Sequence, residues 1–225
     1  MTAEPKLPLV LGIDTATVVN VGLAAGDKVL AVGTVADARA HAEQLMPLVN
    51  RCLAEAGCRL ADVDHLVAGM GPGPFTGLRV GIATAQILSM VASLPLHAVC
   101  SLDVLAAQYV SQWPPEASFV VATDARRREV YWARYVGAGV RVEGPLVSSP
   151  DDLPKLPVIG PAADLYPGRL SIAPGPRSLD PGVLARIGRS LPSVGSDPLY
   201  LRRADATEPT RRKSVLVRRP SRHSA

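Results

Sequence analysis

The sequence has little of what common chemistries depend on. Its three cysteines, Cys52, Cys58 and Cys100, are odd in number and form no C-x-x-C pair, which argues against a disulfide scaffold or a thiolate metal site. Its four histidines, His41, His65, His97 and His223, never fall three or four residues apart, so no helix presents a histidine pair to a metal. A Gly-x-Ser-x-Gly elbow is missing, and Cys100-Ser101 has no visible base partner. No apolar run reaches the length of a membrane span, because Val80 to Leu96 is broken by Thr84, Gln86, Ser89, Ser93 and Pro95. The first residues, Met1 to Lys6, lack a signal-peptide pattern, so the expected location is cytoplasmic.

What is present is globular. Of 225 residues, 48% are apolar and 20% charged, enough to bury one large core or two small ones. The net charge of +4 is unevenly placed. Residues 202–225 hold eight Lys/Arg against two acids, a local +6 that leaves −2 on the rest. The high pI therefore describes a tail and not a basic surface over the fold.

Periodicity organises the chain into two halves. Leu9 to Asp14 is an apolar strand ending in an acid, followed by a Thr15-Ala16-Thr17 turn. Val18 to Ala25 and Lys28 to Val35 read as a hairpin turning at Gly26-Asp27. His41 to Ala56 is a helix with Leu45, Leu48, Val49, Cys52 and Leu53 on one face, interrupted by Pro47. A strand at Leu66 to Ala68, a loop, a helix from Thr76 to Val91, a strand at Leu96 to Val99 and a helix capped by Ser101 follow. Phe119 to Asp124 then restarts the pattern with a strand ending in Asp, a basic turn at Arg126-Arg127-Arg128 and a returning strand from Glu129 to Val136. Val140 to Glu143 reads as a third strand, Pro157 to Gly160 as a fourth, and Gly182 to Leu191 as a short helix in a proline-rich region. Strand–Asp–turn–strand, used twice, is the plan of a duplicated α/β unit. That is the actin-like ATPase fold, with ribonuclease-H-like halves and mixed sheets flanked by helices. The expected division is residues 1–112 for the first half and 113–209 for a smaller second half whose end packs back on the first. Residues 210–225 form a basic tail.

The densest motif is Gly71-Pro-Gly-Pro-Phe-Thr-Gly-Leu-Arg-Val-Gly81. It reads as strand, tight loop, helix, with Thr76 as N-cap. It carries no Walker lysine, and its glycines miss the G-x-G-x-x-G spacing by one residue. Along the helix, Gly77, Gly81 and Ala85 recur every four residues, although each glycine costs ~1 kcal/mol against alanine there. A second backbone must approach that stripe, either from the same domain or from a partner helix.

Asp14 and Asp124 end the two matching strands, where actin-like kinases hold a metal–nucleotide. The turn after Asp14 lacks the glycine that such phosphate loops use, and no further acids complete a cluster. Both aspartates are therefore expected to cap their own turns.

The Gly71–Gly81 motif resembles the signature of the bacterial TsaB (YeaZ) family, with Gly71, Pro72, Gly73, Phe75, Thr76, Gly77 and Arg79 in place and Pro74 where Ser or Thr is usual. Leu11 to Thr15, His41 with its helix, Ser101-Leu-Asp103, Asp124 to Tyr131 and Pro198 to Arg202 resemble further family segments in family order. The resemblance implies a non-catalytic scaffold for TsaD, which threonylcarbamoylates N6 of adenosine 37 in tRNAs reading codons that begin with A. The ATPase TsaE joins the complex, and tRNA is served indirectly, with direct contact to this chain left open. It implies no cofactor on this chain alone, with ATP and metal at the partner subunits. Asp14, Thr15 and Asp124 would form a degenerate nucleotide cleft. The expected TsaD face comprises Leu45, Leu48, Val49 and Cys52 of helix 41–56 with Gly77, Val80, Gly81, Thr84, Ala85 and Leu88 of helix 76–91. A homodimer through that face would compete. Two other readings are an active small-molecule kinase of the same fold, which would turn over ATP, and a self-associating structural protein, which would ignore other partners.

Six basic residues between Arg211 and Arg222 have no aromatic neighbour for base stacking, so the tail alone offers RNA only salt-sensitive attraction. Truncation after Pro209 is expected to leave the melting temperature nearly unchanged. A loss of several degrees would show that the tail packs on the body.

Overall fold

The computed structural model describes residues 7–36, 41–113 and 117–202. The basic tail at 210–225 lies outside the described residues. Strands β1 (Leu9–Asp14), β2 (Val19–Ala25) and β3 (Lys28–Val35) form an antiparallel meander. Helix α1 (His41–Glu55) then leads to β4 (His65–Gly69), α2 (Phe75–Ala92), β5 (Leu96–Val99) and α3 (Ser101–Gln112). Strands β4 and β5 run parallel to β1, giving the mixed order β3-β2-β1-β4-β5.

The second half repeats this plan. Strands β6 (Ser118–Asp124), β7 (Val130–Val136) and β8 (Val140–Ser148) form the meander, and the two-residue β9 (Val158–Ile159) pairs parallel with β6. The order β8-β7-β6-β9 matches β3-β2-β1-β4 strand for strand, so β6 stands where β1 stood and Asp124 where Asp14 stood. The duplicated actin-like architecture is thus present. Strand β8 runs five residues past the expected Glu143, through Gly144 and Pro145. A four-residue helix, α4 (Ala162–Leu165), follows β9.

Helices α1 and α2 cover one face of the first sheet, where Leu11 and Ile13 of β1 meet Leu45, Leu48, Leu78 and Ile82 in one core. The chain continues as helix through Pro47, the one proline inside α1. The opposite face is covered by α5 (Pro181–Ile187), which comes from far along the chain. Asp180 caps it, its carboxylate accepting from the Gly182 N–H at 2.7 Å, and Pro181 occupies the first turn where no N–H is needed. This helix lies directly on backbone. A Cβ at Gly22 would stand 1.9 Å from the Pro181 carbonyl oxygen, and one at Gly12 3.0 Å from the Ala185 nitrogen. A second core, built from α3, β6, β7 and α5, joins the two sheets through Leu105, Tyr109, Phe119, Tyr135 and Leu184.

Two boundary details differ from expectation. Helix α2 begins at Phe75 with Pro74 at its N-cap, so Thr76 lies in the first turn and caps nothing. Ser101 is likewise the first residue of α3, with Cys100 at the cap. The expectation that no apolar run is span-length also needs correction. Among the described residues, α2 has the length and apolarity to cross a bilayer, with 18 residues and mean hydropathy 1.3. Its leucine, isoleucine, valine and phenylalanine side chains raise the average while Arg79 is its single charge, and 33% of it is buried in the protein.

The α5 contact sets a stability test. Gly22→Ala forces a methyl into the Pro181 carbonyl and is expected to cost about 1–3 kcal/mol or more by overpacking. Urea unfolding should show a lowered midpoint with an unchanged m-value, and an unchanged midpoint would mean that α5 rides loosely on the sheet.

Candidate functional site

The Gly71–Gly81 motif closes over the turn that ends β1. Asp14 and Thr15 are 1% exposed and Ala16 is 2% exposed. One Asp14 carboxylate oxygen accepts from the Ala16 N–H at 2.9 Å, an Asx turn. The other accepts from the Ser101 hydroxyl at 2.5 Å. Ser101 Oγ in turn accepts from the Gly71 N–H at 3.2 Å, and the Ser101 N–H donates to the Gly71 carbonyl at 2.8 Å. The hydroxyl of Thr15 donates to the Gly77 carbonyl of α2 at 2.9 Å.

This packing explains the glycines. A Cβ at Gly69 would lie 1.8 Å from Asp14 Oδ2, one at Gly73 2.5 Å from the Ala16 carbonyl oxygen, and one at Gly81 2.1 Å from Thr15 Oγ1. The backbone that approaches the small-residue stripe is therefore the Asp14–Ala16 turn of the same chain. Gly77, Gly81, Ala85 and Leu88 are all buried, as are Leu45, Leu48, Val49 and Cys52 of α1. The expected partner face is corrected accordingly: eight of its ten residues form the interior, and only Val80 and Thr84 reach the surface in part. A bulky charge at Gly81 or Ala85 would break the fold before it tested any interface.

The outward side of α2 is apolar too. Ile87, Met90 and Val91 are 59%, 79% and 75% exposed, and Ala83 lies on the same stripe at helical spacing. Beside it, α1 presents Met46 at 37% exposure. Sequence periodicity missed this stripe because α2 is apolar nearly all round, so small residues and large ones competed for the same inference.

Asp124 repeats the turn-capping geometry of Asp14 in an open setting. Its carboxylate accepts from the Arg126 N–H at 2.8 Å and pairs with the Arg126 guanidinium at 3.1 Å. Arg126, Arg127 and Arg128 are exposed, all with φ between 54° and 61°. This turn and the start of α2 face each other across a cleft of about 190 Å³ lined by Gly73, Phe75, Arg126, Arg127, Tyr200 and Arg202. Phe75 and Tyr200 pack with ring centroids 4.9 Å apart and planes tilted by 36°, and the Arg79 guanidinium sits 4.8 Å from the Phe75 centroid. Neither Asp14 nor Asp124 lines it: Asp14 lies against Gly69, its oxygens engaged by Ser101 and Ala16. The Asp14 carboxylate is thus turned inward. Among the described residues, no group of three His, Cys, Asp or Glu could hold a metal ion.

Comparison with known proteins agrees with this fold. The family model for TsaD, tRNA N6-adenosine threonylcarbamoyltransferase, matches residues 34–173, more than half of the chain. An uncharacterised protein of Mycobacterium tuberculosis is 40% identical over 207 residues, which cover 89% of this chain and 95% of that protein. The tRNA threonylcarbamoyladenosine biosynthesis protein TsaB of Escherichia coli is 39% identical over 99 residues, 43% of this chain and 42% of that protein. The solved structure of YeaZ from Pseudomonas aeruginosa superposes with a TM-score of 0.69 at 28% identity, covering 87% of this chain and all of that one.

The buried carboxyl yields a pH test. Burial raises the pKa of Asp14 above the ordinary carboxylate value, against the lowering pull of the Ser101 hydroxyl and the Ala16 N–H. A carboxyl with a raised folded pKa stabilises most below its unfolded pKa, and that contribution is lost as pH rises through the folded value. Asparagine does not titrate. Asp14→Asn should therefore gain in stability relative to the parent as pH rises above the ordinary carboxylate range, read by urea unfolding at fixed ionic strength. A difference that stays constant with pH would mean equal pKa values in the two states.

Proposed function

The chain belongs to the family that the TsaD model describes, as a TsaB/YeaZ-type member with the actin-like ATPase fold, and from that premise we propose that it serves threonylcarbamoyladenosine formation in tRNA as a non-catalytic scaffold for TsaD. The observation that carries this reading is the outward stripe of α2, where Ile87, Met90 and Val91 stand exposed on a helix otherwise fixed to the core. A rigid helix with an apolar outer side suits helix-on-helix docking, and α1 beside it supplies a second helix for a four-helix contact.

The scaffold's own work is positional. The Thr15–Gly77 hydrogen bond and the packing of Gly81 on Thr15 fix α2 to the end of β1, so the docking stripe is held in one geometry and little ordering entropy remains to be lost on association. ATP and metal chemistry belongs to the partner subunits in this reading, with TsaE joining the assembly that TsaB and TsaD form. The inward turn of Asp14 supports it, since a kinase would need that carboxylate in the cleft. Self-association through the same stripe is the competing assembly, displaced when TsaD is present.

Met90→Arg and Ile87→Arg test the face. Both side chains are exposed, so circular dichroism should remain native while affinity for TsaD falls roughly 100-fold, the ~2.7 kcal/mol of a central hot spot. Formation of threonylcarbamoyladenosine in a reconstituted system should fall with it. Native spectra with undiminished TsaD binding would place the partner elsewhere. ATP turnover by the pure chain that disappears in Asp14→Ala would favour the kinase reading instead.

A further inference from the structure

We propose that the cavity between β8, the first turn of α3 and the chain after α5 is a binding site for a free α-amino acid with an aliphatic side chain, its ammonium held by Asp103 and its carboxylate by Arg141. The site is independent of the scaffold reading.

The cavity has a volume of about 520 Å³ and lies where the two halves of the molecule meet. Asp103 comes from the first half, in the first turn of α3. Val140, Arg141, Val142 and Glu143 come from β8, the edge strand of the second sheet. Leu191, beyond α5, lines a third side. Small-molecule sites measure ~300–1,000 Å³ and combine apolar walls with a few convergent polar groups. This volume equals that of about 17 waters at ~30 Å³ each, enough for one amino acid and its hydration.

Asp103 is the group left short of a partner. Its side chain is 4% exposed and forms part of the cavity wall. Two donors crowd one of its oxygens: the Tyr135 hydroxyl at 2.8 Å and Arg141 Nε at 3.0 Å both meet Oδ1. Oδ2 is buried and has no hydrogen-bond partner among the described residues. Leaving a buried carboxylate oxygen unmet is costly, and a ligand N–H would relieve it. Tyr135 is fully buried in the core between the sheets, so a new donor comes from the cavity side. A small turn of the Arg141 side chain, the more exposed of the pair, opens Oδ2 to it. Burial raises the pKa of Asp103 against the lowering pull of Tyr135 and Arg141, so its present partners leave the charged carboxyl under-compensated.

The charges set the class of ligand. Glu143 accepts from Arg134 at 2.9 Å and Asp103 pairs with Arg141, so the four groups balance. A net cation or anion would upset that balance, and a zwitterion does not. Arg141 uses Nε on Asp103 and Nη1 on the Gly144 carbonyl at 3.0 Å, which keeps its other Nη for an incoming carboxylate. Carboxylate and guanidinium thus stand side by side, as the two charges of an α-amino acid do. The walls set the side chain. Val140 and Val142 are exposed, and an aliphatic group lying between them and Leu191 would cover them.

The test is isothermal titration calorimetry of the full chain with L-leucine and two analogues, isoamylamine, which lacks the carboxylate, and isocaproate, which lacks the ammonium. Leucine should bind saturably at one site, and each analogue should bind roughly ten-fold more weakly. Glycine should also bind about ten-fold more weakly, since even one methylene is worth ~10–200-fold in an apolar pocket. Asp103→Asn keeps the size of the side chain, removes its charge and should lower leucine affinity about ten-fold. Val142→Asn changes an exposed wall position, so circular dichroism should stay native while leucine's lead over glycine narrows several-fold. Three results would overturn the site. No saturable binding of leucine means that the cavity holds water alone. Isoamylamine binding as tightly as leucine assigns Asp103 to simple cations and removes the carboxylate role of Arg141. Leucine affinity unchanged in natively folded Asp103→Asn and Val142→Asn puts the amino acid elsewhere on the chain. Where Asp103→Asn loses its native spectrum, Val142→Asn alone decides between these outcomes.

Discussion

The hydrogen bonds around the Asp14 carboxylate are the joint on which the first half depends. They gather the end of β1, the loop before α2 and the first turn of α3 at one buried point. Buried polar networks of this kind specify an arrangement because each unmet group would cost ~1–3 kcal/mol. The position is notable for what it displaces. At this position the family resemblance implied a degenerate nucleotide cleft of Asp14, Thr15 and Asp124. Here the Gly71–Gly81 loop lies over it, and the turn after it is filled by Gly73 and Gly81.

The glycines of the loop follow from that contact. Gly69, Gly73 and Gly81 stand where the Asp14–Ala16 turn leaves no room for a methyl group, and Gly71 has φ of 91°. A strictly spaced set of small residues can thus record one close approach inside a monomer. The exposed residues of the same helix, Ile87, Met90 and Val91, follow no such spacing rule, because a surface stripe has only to be apolar.

Much of this was legible in the sequence, and the limits have physical causes. The strands Leu9–Asp14, Lys28–Val35 and Leu96–Val99 have the expected bounds, since short apolar runs between turn residues leave few alternatives. The repeat was visible because a strand ending in Asp followed by a turn occurs twice. Which side of α2 faces outward was not legible, because periodicity identifies stripes and cannot say which neighbour covers each. The cleft was half legible: the triple arginine stands out, but its neighbours Phe75 and Tyr200 come together only through the return of residues 193–200 along β5 and Met70. Ser101 was read as a cap because Ser at a helix start usually is one. Its hydroxyl instead serves Asp14, a partner 87 residues away.

Gly22 and Pro181 touch across most of the length of the chain, and that has a consequence for biogenesis. As the polypeptide leaves the ribosome, β1, β2 and β3 are complete long before α5 has been made. One face of the sheet must wait uncovered, with Gly12 and Gly22 exposing backbone where a helix will later lie. Contacts of such long range slow folding, because loop closure must precede any gain from them. The first half therefore cannot mature as an autonomous folding unit during synthesis, and a nascent chain stalled before Asp180 would present an unfinished sheet to whatever chaperone meets it.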